Sequence, residues 1–493
     1  MPARQKISAV DTAWLRMDRP SNLMMICGVL IFRERLSYAR LKRAVEERFL
    51  QFQRFRQHPV QTAAGAFWED DAQFELEHHV VHVALPGKGG KRDLQTLAAR
   101  LASTPLPQGR PLWQFHHVDN FDGGSAVVVR IHHCYADGIA LVQVMLSMTD
   151  ASAHGPPAMP PPAPRKERKA RTAAADDPLG QMMQPLTGAA QMAMKVGSML
   201  VEKGVALWQD PAKAVALAEQ GGALTAEIAR LALMQADSPT RFKGKPGIGK
   251  RVAWAPPLAL TEVKAVGKAL GGSVNDVLLS CAAGAMREYL TAKGDDVDGL
   301  MLRSLVPINL RPLERAFDLG NQFGILFLDL PIGIENPVER LYAVRANMSA
   351  LKGSLQPVLT LGLLAAAGAG PKVLQEQLIS ILSRNATAVM TNVPGPQQPL
   401  WLGGAKIESM MFWVPQSGDV GLGASIISYD GRVRFGLITD RGLCPDPEHV
   451  VARFAGEFEK LVLTALLAPP WTGDLDPAVA EQAVGSGLGS GRI

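Results

Sequence analysis

Ser125 to Ile131 is a seven-residue run, largely β-branched, that ends on His132-His133-Cys134-Tyr135-Ala136-Asp137-Gly138. A run of this kind is predicted to form a buried strand, and the strand delivers two histidines and a turn to one point in the fold. Side chains alternate between faces along a strand. His133 therefore falls in the row of Val127, Val129 and Ile131, and His132 in the row of Val128 and Arg130. His133 is the imidazole expected in an apolar cleft. Asp137-Gly138 is a turn signal, and Ile139 to Asp150 sets Leu141, Met145 and Met148 on one helical stripe. The expected local unit is strand, histidine-bearing turn, helix.

A neutral imidazole can take a proton from an alcohol and return it to a leaving group, so the heptad reads as a general base. The plainer alternative is a structural histidine pair with Asp137 as a helix cap. His78-His79 and His116-His117 are also adjacent pairs, but neither precedes an xxxDG turn, and both are assigned to surface or strand packing. Cys134 beside the base raises a Cys-His nucleophile, against which stand the divergence of neighbouring strand residues and the lack of an orienting third group. No histidine sits in an HExxH or Cys/His-cluster spacing, and no metal is expected.

The heptad also resembles the HHxxxDG signature of acyltransferases related to chloramphenicol acetyltransferase and peptide-synthetase condensation domains. Within that group the chain most resembles the bacterial wax ester synthase/diacylglycerol acyltransferase family. Pro111-Leu112-Trp113 matches its PLW element, Asn275-Asp276 its ND element and Asn392-Val393-Pro394-Gly395-Pro396 its NVPGP element; Leu302 to Arg311 and Gly320-Asn321 sit where the family has similar text. Ile7 to Met17 resembles the family's opening. Tyr135 inside the heptad and a long Pro/Arg-rich insertion depart from the pattern.

The resemblance implies an α/β (α+β) fold of two chloramphenicol-acetyltransferase-like lobes, mixed sheets flanked by helices and joined by a helical linker. It implies His133, His132 and Asp137 as the catalytic group, with Asp137 shaping the turn through an ion pair to Arg303 or Arg311. Asn275 and Gly138 are expected at the substrate, Asn275 as a hydrogen-bond donor near the channel or else only part of a helix cap. PLW is expected to be structural.

At 493 residues the chain exceeds one hydrophobic core. The expected division is 1–153 for the lobe carrying the heptad, 154–245 for a connector, 246–470 for the second lobe and 471–493 for a loose tail. A net charge of +5 is too mild for a dedicated nucleic-acid binder, and no such module accompanies it. Four scattered cysteines and an N-terminus without an apolar export segment point to the cytoplasm.

Within the connector, Gly155 to Pro164 reads as polyproline linker and Arg165 to Arg171 as a basic run, either solvated or attracted to lipid headgroups or coenzyme A phosphates. Met182 to Met234 has helical spacing suited to packing between lobes or lying on a membrane. Elsewhere strands are expected at Met24 to Phe32, Arg251 to Ala255, Met301 to Ile308, Phe323 to Leu330 and Ala386 to Asn392, and as a pair around Tyr429 to Arg432. Helices are expected at Leu36 to Phe52, Val274 to Leu290, Pro337 to Leu351 and Pro447 to Leu466. Val358 to Gly370 is too short to span a bilayer; its small side chains suit either a core helix or a channel wall beside a chain-like ligand.

The reading that joins these features is transfer of a long-chain acyl group from acyl-coenzyme A, as co-substrate without a further cofactor, to a fatty alcohol or diacylglycerol. The protein would sit peripherally at membrane or lipid inclusions. A condensation-type acyltransferase using carrier-protein thioesters and a non-catalytic lipid-droplet binding protein are the alternatives.

Overall fold

The computed structural model describes residues 4–158, 227, 230–231, 233–311 and 318–467. The basic run, most of the Met182 to Met234 stretch and the tail lie outside the described residues. Two large sheets flanked by helices carry the fold, as expected, with a small three-stranded sheet beside the first lobe.

The first large sheet runs, edge to edge, through Trp401–Leu402, Ala405–Trp413, Met25–Phe32, Gly124–His132, Trp113–Phe121 and Val80–Val83. Its centre is the antiparallel pairing of Met25–Phe32 with Gly124–His132, in register from Met25 opposite His132 to Phe32 opposite Ser125. Every residue of the heptad strand is buried. A continuous apolar sequence is what a strand covered on both faces requires.

Ala405–Trp413 belongs to the C-terminal half of the chain but pairs with Met25–Phe32, Trp413 opposite Cys27 and Met411 opposite Val29. The sequence reading passed this strand over. Its buried positions alternate with half-exposed ones, Lys406 and Glu408 among the latter, so it lacks the continuous apolar run that marked the others. The expected cut at residue 246 therefore does not separate the two sheets, because the second half completes the first lobe.

The second sheet orders Phe323–Pro331, Met301–Asn309, Ala388–Pro394, Leu422–Tyr429, Arg432–Asp440 and Lys250–Trp254. Ala388–Pro394 runs parallel to both of its neighbours. The hairpin expected around residues 429–432 turns on Asp430 (φ 48°) and Gly431 (φ 68°), the left-handed pair that matches the twist of its strands. The helix expected over Leu36 to Phe52 covers only Tyr38–Glu47, and two short 3-10 turns continue it to Arg56.

Val358 to Gly370 falls in the helix Gln356–Ala369. Its small residues make room for another helix: a Cβ on Gly368 would lie 1.7 Å from the Ala9 carbonyl oxygen of the first helix, Ala9–Met17. The Arg16 guanidinium closes the same junction by donating to the carbonyls of Gly368 (3.2 Å) and Gly370 (3.0 Å). Among the described residues no single helix is long and apolar enough to cross a membrane.

This crossing predicts opposite outcomes at two glycines. Gly368→Ala should destabilise by about 1–3 kcal/mol, since the new methyl must push two backbones apart. Gly456→Ala, in the helix Arg453–Leu467 where an added Cβ meets nothing within 4 Å, should stabilise by about 0.5–1 kcal/mol. Thermal unfolding of the two variants checks both signs.

Candidate active site

The heptad strand hands over to its turn at His133, whose backbone N–H donates to the Met24 carbonyl at 2.7 Å. The imidazole stacks on Trp14 of the first helix, with ring centroids 4.4 Å apart and planes 21° from parallel, and Phe323 lies 5.5 Å away on the other lobe. His133 is 4% exposed and its Nδ1 has no hydrogen-bond partner among the described residues. Burial pushes its pKa down to about 4, against the opposing pull of the Asp137 carboxylate. The ring is therefore neutral at physiological pH and able to accept a proton.

Its backbone is clamped as well. The Asn321 side-chain amide donates to the His133 carbonyl (2.7 Å) and to the Asp11 carboxylate (2.7 Å), and the Asn321 N–H also reaches Asp11 (2.9 Å). Asp11 is buried, which raises its pKa against the lowering effect of hydrogen bonds from Ser8 and Asn321. Asp11, Trp14 and Phe323 were given no role from sequence. The only available signal was Asp11 itself, a carboxylate followed closely by Trp14 in a short helix.

His132 points the other way, as strand alternation requires. Its Nδ1 accepts the Cys134 N–H at 3.1 Å, its Nε2 lies 3.9 Å from Asp18, and burial pushes its pKa to about 3. It borders a recess of polar character shared with Arg16, Asp18, Gln108 and Lys372. The other histidine pairs behave as assigned: His117 bonds the Leu36 carbonyl at 2.6 Å, His79 the Trp113 carbonyl at 2.9 Å, and His78 sits near Glu75 at 3.3 Å.

Asp137 does what both readings asked of it. One carboxylate oxygen accepts the Ala140 N–H at 3.0 Å and caps the helix Gly138–Ser147. The other accepts the Arg311 guanidinium at 2.7 Å and the Gln322 N–H at 3.0 Å. Arg311 is thus the partner; Arg303 instead pairs with Asp329 at 2.8 Å. The Arg311 and Asp137 side chains are 1% and 4% exposed.

Tyr135 does not crowd the histidines. Its hydroxyl donates to the Gln57 carbonyl (2.7 Å) and accepts the Leu112 N–H (2.9 Å), and its ring stacks on Phe55. The Trp113 indole donates to the Phe55 carbonyl at 2.8 Å, so PLW is a buried brace under the heptad. The Cys134 thiol is buried and its pKa is raised by that burial, which removes the thiolate a nucleophile needs. Among the described residues no group of three or more His, Cys, Asp or Glu side chains could hold a metal.

A narrow apolar groove starts at the heptad. Ile131 and Gly138 border it there, Leu141 and Met145 of the capped helix form one wall, and Thr391 and Val393 of the second lobe form another. An added Cβ at Gly138 would meet nothing within 4 Å, so this glycine keeps the groove wide. Asn275 lies elsewhere. It is exposed and accepts the Asn392 side-chain amide at 2.7 Å. Alternation along Ala388–Pro394 turns Asn392 to the face opposite Thr391 and Val393, so Asn275 reaches the NVPGP segment from the helix side. Asp276 is a cap: its carboxylate takes the Ser273 N–H at 2.8 Å in a capping box.

Two lobes on mixed sheets, with a buried HHxxxDG turn at their junction, define an acyltransferase of the condensation-domain type. Residues 7–278 match the wax ester synthase/diacylglycerol acyltransferase catalytic domain, and residues 319–462 the C-terminal domain of the same family. The chain belongs to the wax ester synthase/diacylglycerol acyltransferase family and is an O-acyltransferase. A Mycobacterium tuberculosis protein named "Probable diacyglycerol O-acyltransferase" is 27% identical over 419 residues, 83% of this chain and 86% of that one. The wax ester synthase/diacylglycerol acyltransferase from Marinobacter aquaeolei superposes with a TM-score of 0.65 at 21% identity, covering 94% of this chain and 100% of that one. The first condensation domain of the CDA synthetase superposes with a TM-score of 0.54 at 14% identity, covering 95% and 97%. Both superpositions speak to the fold.

The Asp137–Arg311 pair predicts a specific energetic pattern. Asp137→Asn keeps a good cap but removes the buried charge that the guanidinium pairs with, and should cost about 3–5 kcal/mol of stability. Arg311→Met alone strands the carboxylate. The double variant should lose less than the sum of the singles, by about 0.5–3 kcal/mol in a denaturant cycle. Simple additivity would mean that the contact carries no coupling.

Proposed function

We propose that the protein transfers a long-chain acyl group from coenzyme A to the hydroxyl of a fatty alcohol or diacylglycerol, giving a wax ester or triacylglycerol, with His133 as general base. The observation that carries this is a neutral, buried imidazole within the heptad whose flanking residues Ile131 and Gly138 line an apolar groove. His133 takes the hydroxyl proton as the oxygen attacks the thioester carbonyl. The tetrahedral oxyanion collapses, the carbon–sulfur bond breaks, and the imidazolium returns its proton to the departing sulfur. A thiol of pKa about 8.5 is a good leaving group, so neither a metal nor a covalent enzyme intermediate is needed.

The surroundings divide by polarity in a way that suits such substrates. The groove side fits an alkyl chain, and the recess on the His132 side, with Arg16 and Lys372 at its margin, fits the polar arm of the coenzyme. Asp137 acts by shaping the turn, since its charge is already matched by Arg311. Lipid-inclusion association is the setting in which such acceptors are found, and it belongs to this proposal. Turnover of palmitoyl-coenzyme A with hexadecanol, compared with a diacylglycerol, tests the reaction and chooses between acceptors.

Three outcomes follow from the geometry. His133→Ala should lose about 10² to 10⁴-fold in kcat with the fold intact, and near-wild-type turnover would refute the base. In the wild type, the acid limb of kcat/KM should fall well below 6.5, near the pKa of about 4 set by burial. The sign for stability is the same: His132 and His133 hold fewer protons folded than unfolded, so stability is full above pH 6.5 and drains as pH falls toward 4. Circular dichroism across that window separates protonation of the base from loss of the fold. Gly138→Val, which fills the groove's start, should raise KM for long-chain substrates more than for short ones; equal effects on both would place the chain elsewhere.

A further inference from the structure

Transfer by general base has a step that the resting structure disfavours. The base must become an imidazolium inside the site, and burial penalises that cation. Among the described residues, the charged and titratable groups around the ring are few. On its own segment lie Asp137, already paired with Arg311, and His132 and Cys134, both buried. On the first helix Asp11 is engaged by Ser8 and Asn321, with the Arg54 guanidinium close enough to act on it, and beyond the helix Asp18 lies 3.9 Å from His132. From the second lobe, Phe323 presents only an uncharged ring.

The indole of Trp14 stacks against the imidazole. Its contact is face to face, 4.4 Å between centroids and 21° between planes, the arrangement in which a cation meets the negative face of an aromatic quadrupole. A buried indole N–H ordinarily finds an acceptor. The Nε1 of Trp14 has none among the described residues, so a hydrogen bond is not what orients the ring. Phe323, 5.6 Å from Trp14, packs on both rings and keeps the stack dry.

Resting on the assignment of His133 as base, we infer that Trp14 is a positioning residue that fixes the plane of the imidazole and stabilises the imidazolium formed when the hydroxyl proton is taken. Desolvated cation–π contacts are strong enough to matter for rate. A packing role and this role part company on the direction of a pKa. If Trp14 only fills space, a smaller side chain admits water, relieves desolvation and moves the His133 pKa up toward 6.5. If its π-face holds the cation, losing it moves the pKa further down.

The test uses full-length protein and the palmitoyl-coenzyme A assay. Trp14→Leu should lower kcat about tenfold with little change in KM, and shift the acid limb of kcat/KM down by about one unit. Trp14→Phe, which keeps a π-face, should retain most of the rate and leave the limb nearly in place. Should Trp14→Leu not fold, Trp14→Met supplies a ringless side chain of similar reach for the same measurement. A limb that stays put or rises in the folded ringless variant overturns the inference, as does a Trp14→Phe variant as impaired as the ringless one.

A second readout needs no turnover. The chain has eight tryptophans, so Trp14 emission is taken as the difference between wild type and Trp14→Phe and titrated with acid. Quenching should appear with the midpoint of the acid limb and vanish in His133→Ala; no His133-dependent quenching overturns the stack. Retained turnover in His133→Ala would instead defeat the base assignment, and the emission titration keeps the two failures apart.

Discussion

One carboxylate, Asp137, joins the two lobes, and the geometry of the site depends on it. A buried ion pair is a poor source of net stability, because desolvating both charges consumes most of what their attraction returns. Its value lies in what happens when it is misaligned. With Arg311 and Asp137 almost fully enclosed, a shift that separates them leaves the carboxylate without its guanidinium in a dry interior. The same carboxylate caps the helix that forms one wall of the groove and takes the Gln322 N–H of the other lobe. Strand end, helix axis and opposing lobe are therefore referenced to one atom group.

That reference is reinforced by backbone. The Gly320 N–H donates to the Tyr135 carbonyl at 2.9 Å, and the Asp137 N–H donates back to the Gly320 carbonyl at 3.3 Å, so a segment of the second lobe runs as a short parallel bridge along the heptad. On the far side, Ala405–Trp413 leaves the second lobe to pair with Met25–Phe32, the strand that borders the heptad strand. Lys250 adds a buried bond to Asn22 at 2.8 Å, and Asn22 in turn holds the carbonyls of Gly418 and Val420. The groove has one wall from each half of the chain, and these contacts keep its width from being a matter of lobe motion alone.

What was legible in the sequence was local. The Val-rich run before His132, the alternation that sorts His133 from His132, the Asp137 cap and the hairpin at Asp430-Gly431 are each set by neighbours in the chain, and the structure has them where expected. Tertiary pairings were not legible. Arg303 and Arg311 are equally basic, and only the fold gives Asp329 to one and Asp137 to the other. The small residues of Gln356–Ala369 indicated close approach but not by what; the partner is the Ala9–Met17 helix. The place of Asn275 was not legible for a related reason, since a residue's motif says nothing about which face of a neighbouring sheet it addresses. Trp14 stacks on a ring far away in sequence, a contact with no periodicity to announce it.

Burying the proposed base costs it basicity, and this site accepts the loss. A proton acceptor with pKa about 4 is weaker than an exposed imidazole, so the gain must lie elsewhere. A thioester beside a neutral base in open water would be hydrolysed as readily as transferred, whereas a dry groove admits the hydroxyl that arrives on an apolar chain. In the proposed reaction, exclusion of water is the source of selectivity, and the depressed pKa is its consequence. The same dryness strengthens every fixed charge and quadrupole near the ring. What favours the transient cation is then the pull of the Asp137 carboxylate, which it shares with Arg311, together with the aromatic face against the ring. A site that rejects water must supply the solvation that water would have given, and here the first helix brings that surface to the end of the strand.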